Sequence, residues 1–238
     1  MSKQAAAMRA RLREHANPKI AAHSTRFFKP GRAGYPAGDR FLGVRVPDVR
    51  AVARAFRGAP LAAALTLLRS RLHEERLLAL VLMVDLFERG DDSARAAIYA
   101  QYLKHTPRYV NNWDLVDSSA YQIVGTFLAP RDRRALYDLA RSASLWERRV
   151  AIIATFRFIK DGSFDDTLAI ARLLLNDRED LIHKATGWML REVGNRDVAV
   201  EEGFLREHYA AMPRTMLRYA IEKLPEPRRK AYLAGNVR

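Results

Sequence analysis

Apolar positions along the chain recur at intervals of three and four residues, and the alternation expected of strands is scarce. Ala, Leu and Arg, all good helix formers, dominate the periodic stretches. The pattern predicts helices over 3–15, 18–28, 47–57, 60–71, 73–89, 92–105, 111–128, 131–141, 145–160, 164–175, 179–194, 197–210, 214–223 and 226–234. Pro47 and Pro213 suit a first helical turn, Asp91 and Ser163 suit N-caps, and Gly162 and Gly194 suit helix ends. The fold class expected is all-α. One segment breaks the pattern: residues 29–40, rich in Gly and Pro, read as a loop. Its plain reading is a connector, although Arg32, Tyr35 and Arg40 also suit contact with a phosphate backbone.

The helices carry a repeat. Leu72-His73-Glu74-Glu75-Arg76-Leu77 resembles Leu145-Trp146-Glu147-Arg148-Arg149-Val150, 73 residues later, and Leu181-Ile182-His183-Lys184-Ala185-Thr186 follows after a further 36. Half of 73 predicts another start near residue 109, where Tyr109-Val110-Asn111-Asn112-Trp113 stands. A unit of about 36 residues holds two helices and short turns, the size of a HEAT-type unit. The tetratricopeptide signature is absent. The chain is therefore expected to form one HEAT-like repeat domain over 1–238, a helical solenoid with a concave face. A bundle around a single core is the alternative.

Charge adds a partner class. The formal net charge is +14, and residues 1–60 hold 13 Lys or Arg against 3 Asp or Glu, a net of +10. That asymmetry favours a polyanion on a basic concave face, through attraction to phosphates and release of counterions. The chain has no cysteine, which excludes disulfides and thiolate metal sites. The six histidines show no metal-ligand spacing, and no Walker loop, GxGxxG, nucleophile elbow or zinc-deaminase signature is present. No metal and no cofactor are expected. Without a signal peptide or an apolar run of membrane-spanning length, a cytoplasmic protein that does not enter a membrane is expected, acting as a monomer.

Four residues stand out as candidate chemistry: Trp113, Asp117, Arg149 and Trp188. Trp113 and Arg149 are 36 residues apart, the same phase of consecutive repeat units, and Trp188 follows after 39, one unit plus about one helical turn. Asp117 is at i+4 from Trp113. If the repeats stack, all four side chains share a surface. Each has a bland reading too. A Trp at an apolar helical position is usually core, which is the preferred reading for Trp146. Asp117 suits a solvated face, and Arg149 suits a pair with Glu147 or Glu179. Yet a carboxylate among Leu115, Val116 and Ala120 needs a reason to be there.

At these residues the chain resembles the AlkD-type DNA alkylation repair glycosylases, the HEAT-like alkylpurine DNA glycosylases. The likeness rests on Trp113-Asp114-Leu115-Val116-Asp117, on Trp146-Glu147-Arg148-Arg149-Val150-Ala151-Ile152, and on Lys184-Ala185-Thr186-Gly187-Trp188-Met189-Leu190-Arg191-Glu192. Phe41-Leu42-Gly43-Val44-Arg45-Val46-Pro47 and Met212-Pro213-Arg214-Thr215 extend it from about residue 20 to 224. It implies that Trp113, Asp117, Arg149 and Trp188 are cleft residues. It also implies removal of cationic alkylated purines, N3-alkyladenine and N7-alkylguanine, from duplex DNA without flipping the lesion. A related subgroup has lost the cleft chemistry, but here all four positions hold the active residue types.

The expected reaction suits those residues. A cationic purine leaves as a neutral molecule, so what needs stabilising is the positive charge growing on the sugar. An ionised Asp117 would supply that and orient a water at C1′, the two indoles would pack on the deoxyribose, and Arg149 would grip a phosphate. Arg148, Lys184 and Arg191 are further expected contacts to the DNA backbone. No lysine nucleophile is evident, so no lyase step is expected. The rival reading is a non-catalytic helical-repeat module that binds nucleic acid or protein.

Overall fold

The computed structural model describes residues 3–28 and 38–237. Of the expected Gly/Pro loop, Arg32 and Tyr35 lie outside the described residues, while Arg40 lies within them. The described chain is all-α with HEAT-like helix pairs, apart from an isolated bridge between Arg40 and Leu72. It divides into two compact units, Met1–Ser119 and Ala120–Arg238.

The first unit contains α1 (Lys3–Arg13), α2 (Pro18–Phe28), α3 (Val46–Ala55), α4 (Leu61–Leu68), α5 (His73–Arg89), α6 (Asp92–Tyr109) and α7 (Trp113–Asp117). Helix α5 is the hub, packed by α3, α4, α6 and α7. It buries even its charged first turn, His73, Glu74, Glu75 and Arg76. Buried charge requires partners, and each of the two glutamates has them. The Glu74 carboxylate accepts the backbone N–H groups of Leu42, Gly43 and Val44 at 3.0, 2.7 and 3.3 Å. Glu75 pairs with Arg9 at 2.8 Å. Gly43 has φ +77°, and a Cβ there would lie 2.1 Å from the Asn17 carbonyl oxygen, so only glycine lets this strap meet the start of α2. The Asn17 side chain in turn caps α2, accepting from Lys19 and Ile20.

The second unit runs through a π-helical turn (Tyr121–Gly125), α8 (Thr126–Leu128), α9 (Arg134–Ala140), α10 (Leu145–Ala154), α11 (Phe156–Lys160), α12 (Asp165–Leu173), α13 (Asp180–Gly194), α14 (Val198–His208), α15 (Arg214–Ala220), a 3-10 turn (Ile221–Lys223) and α16 (Glu226–Ala234). Its helices stack as pairs: α9 on α10, α12 on α13, with α10, α13 and α15 in succession. Gly187 sets a close approach between α13 and α15. A Cβ there would stand 2.4 Å from the Met216 carbonyl oxygen and 2.6 Å from Tyr219 Cβ.

Four expectations need correction. The stretch 145–160 is two helices, α10 and α11, parted at Thr155, whose hydroxyl donates to the Ile152 carbonyl at 2.7 Å. The stretch 111–128 is not one helix: α7 ends at Asp117, because the hydroxyls of Ser118 and Ser119 both donate to the Leu115 carbonyl, at 3.3 and 2.6 Å, in competition with the backbone. Helix α6 does not stop at 105. It runs past Pro107 to Tyr109, and Val110 N–H closes it on the His105 carbonyl. Ser163 does not cap α12, which begins at Asp165 without a side-chain cap. Asp91, by contrast, does cap α6, accepting from Ala94 at 2.8 Å.

Candidate active site

Helix α7 is short and held at both ends. Its Asn112 cap is buried and accepts the Trp113 N–H at 2.9 Å. At its far end, Ser119 is fully buried and spends its proton on Leu115, so the hydroxyl of Tyr102, 2.9 Å away, donates to it. Burial, set against the Ser119 bond and reinforced by the Asp117 charge, raises the Tyr102 phenol, which stays protonated. Trp113 and Asp117 are the first and last residues of the helix, and both are half-buried.

Residues that the sequence did not single out surround Trp113. Its ring stacks on Phe28 at 5.8 Å and meets Phe27 edge-on at 6.2 Å. Phe28 also lies against Phe41 at 5.2 Å and His73 at 4.8 Å. Phe27 stays 55% exposed. The adjacent aromatic pair at the end of α2 was the available signal. His73 ties this cluster to the helix: Nε2 is 2.7 Å from Asp114 Oδ2, and Nδ1 is 3.4 Å from Asp39 Oδ2, which also accepts from Arg76 at 2.6 Å. Burial alone would lower the imidazole pKa. The carboxylates of Asp114 and Asp39 overcome it and push His73 up to about 9, so it is an imidazolium at neutral pH. Burial likewise opposes ionisation of Asp39, but His73 and Arg76 hold it below the usual carboxylate range.

In the second unit, Trp188 is half-buried on α13, and its indole N–H donates to Glu192 at 3.1 Å. Phe156 lies 6.2 Å from it and Tyr121 lies 5.2 Å from Phe156. Lys160 stands over both smaller rings and Arg196 over Phe156. Arg149 on α10 is only 4% exposed, and its guanidinium donates to the Leu181 carbonyl. Arg76 occupies the matching repeat position 73 residues earlier and is also buried. Trp146 is core, as expected.

The expected backbone contacts look different in place. Arg148 is fully engaged: it grips Asp177 through Nε and Nη2 at 2.6 and 3.3 Å, and Nη1 donates to the Ser142 and Ala143 carbonyls. This guanidinium ties the turn before α10 to the turn before α13 instead of standing open to a phosphate. Arg191 pairs with Glu222, and Lys184 with Asp180 at 2.7 Å. Among the described residues, no group of His, Asp or Glu is arranged to hold a metal ion, and no helix is long and apolar enough to cross a membrane.

The family model described as DNA alkylation repair enzyme matches residues 8–224. Among solved structures, the chain is similar to one titled "Predicted DNA alkylation repair enzyme from Enterococcus faecalis", with a TM-score of 0.70 at 19% sequence identity, covering 89% of this chain and 98% of that one. No curated protein matches the sequence.

Proposed function

Because the chain belongs to the DNA alkylation repair enzyme family, we propose that it is a monofunctional DNA glycosylase acting on cationic alkylated purines, N3-alkyladenine and N7-alkylguanine, in duplex DNA. The observation that carries this reading is α7, where a half-buried carboxylate, Asp117, shares a five-residue helix with a half-buried indole, Trp113. Such a helix presents both groups from an element pinned by its cap and by His73.

In the proposed reaction the bond between C1′ and the purine nitrogen breaks, and its electron pair goes to the purine, which leaves neutral. Positive charge develops on C1′ and the ring oxygen of the sugar. Asp117 stabilises that charge and orients the water that adds to C1′; the proton lost from this water passes to the carboxylate or to solvent, leaving an abasic deoxyribose. Trp113 and Trp188 offer faces that favour nearby cationic character. Arg149 enters as a phosphate contact by its place in the repeat. The lesion stays in the helical stack, because lability of the bond, and not pocket fit, selects it.

The test is Asp117→Asn. Release of N7-methylguanine from alkylated duplex should fall by about 10²–10³-fold, the loss expected for removing one such electrostatic stabiliser, while affinity for the duplex stays within a few-fold. Wild-type protein that binds duplex but frees no base would establish a binding module in place of an enzyme.

A further inference from the structure

A cavity of about 520 Å³ opens in the first unit where the turn between α4 and α5 meets the end of α6. Arg69, Arg71, Arg76 and Arg108 line it, with Ser70 and Asn111. Its only carboxylate is Asp39, already shared by Arg76 and His73. Arg69 donates to Nε2 of His105, whose Nδ1 meets the Gln101 carbonyl. Arg108 lies over the Tyr109 ring at 5.4 Å. Among the described residues, no carboxylate pairs with Arg69, Arg71 or Arg108. The contrast with Arg148, Lys184 and Arg191 is direct, since each of those has an acidic partner.

A second observation points to a missing acceptor. Arg76 is 3% exposed, and its Nε is a buried donor with no hydrogen-bond partner. Buried donors are almost always satisfied. A cluster of arginines with one carboxylate among them suits an anion with several acceptor oxygens, which planar guanidiniums bind well. The cavity has the volume for a phosphodiester together with its neighbouring sugars.

We infer that this cavity receives a backbone phosphate of bound DNA, held by Arg69, Arg71 and Arg108. The inference rests on the proposed action on DNA. It assigns the docking of the strand to a site whose Asp39 wall leads through His73 and Asp114 to α7.

The experiment uses the full chain and an unmodified labelled duplex, with Kd measured across a salt series. Arg71→Ala with Arg108→Ala is compared with Arg229→Ala with Lys230→Ala on α16, beyond the family-matched span, which removes the same charge. The cavity variant should weaken binding several-fold for any duplex sequence and flatten the plot of log Kd against log salt by about 1. Arg71→Lys with Arg108→Lys should restore the slope in part. A slope change no larger than that of the α16 control overturns the inference. So does loss of inorganic phosphate binding in the cavity variant with an unaltered duplex slope, which would mark a small-anion site. Base release by the wild type, read in parallel, reports on the excision reading separately from the slope.

Discussion

At the scale of single residues, buried titratable groups set how stability depends on pH. His73 is held up to about 9 by Asp114 and Asp39 against its own burial. Its unfolded value is near 6.5, so its contribution is complete below that pH and is lost as pH rises through 9. Glu201 acts in the same direction for a different reason. Burial first, and then the Glu202 charge, raise its carboxyl to about 8, against the pull of Arg191. The folded state then keeps a proton that the unfolded chain releases, so stability falls between about pH 4.5 and 8. Denaturant melts should therefore show stability dropping steadily from pH 5 to 9. Glu201→Gln should be the more stable protein at pH 8 and lose the lower part of that slope. His73→Asn should cost about 1–3 kcal/mol at pH 6, because it removes the cation that Asp114 and Asp39 share, and should flatten the profile between 6.5 and 9. Unchanged profiles in both variants would show that these groups do not govern the titration. None of this was readable along the chain: Asp114 is 41 residues from His73, and only folding reveals the pair.

At the scale of elements, the helices were legible because periodicity and caps are local. Helix α5 begins and ends where the pattern places it, and Asp91 caps as its type suggests. The errors fall where side chains compete with the backbone, at Ser118 and Ser119, or where a proline sits in a turn that the helix can still close, at Pro107. Close approach between helices also escapes a periodic reading. Gly187 sits in the middle of α13, where glycine is intrinsically poor, because α15 leaves no room for a Cβ. Gly187→Ala should cost about 1–3 kcal/mol in urea unfolding. Gly203→Ala on α14, where a Cβ would meet nothing within 4 Å, should stabilise by about 0.5–1 kcal/mol. If both changes were neutral, the tight contact between α13 and α15 would be in doubt.

At the scale of the whole chain, the repeat was legible from three similar hexapeptides, and the family match over 8–224 takes in the stretch from about 20 to 224 over which the other motifs carry the resemblance. The division into two compact units was not, since one spacing of about 36 residues crosses the boundary without a mark. Charge was legible in sum but not in use. Arg148, expected as a DNA contact, is bonded to Asp177, 29 residues away, and Arg71 and Arg108 come together at one cavity from positions 37 residues apart. Substrate choice is expected at this scale too. If the leaving group's cationic character selects the lesion, the protein should free N3-methyladenine and N7-methylguanine and leave uracil in place. Chromatography of the released bases checks this, and strong uracil release would contradict the mechanism.

The three indoles also make the protein its own optical reporter. Trp146 is shielded in the core, Trp113 rests against the phenyl ring of Phe28, and Trp188 donates to a carboxylate. Emission from the first should stay constant when duplex is added, while the other two should shift in colour and lose access to dissolved quenchers. Replacing Trp113 and Trp188 by Phe one at a time would then assign each spectral change to its own half of the chain.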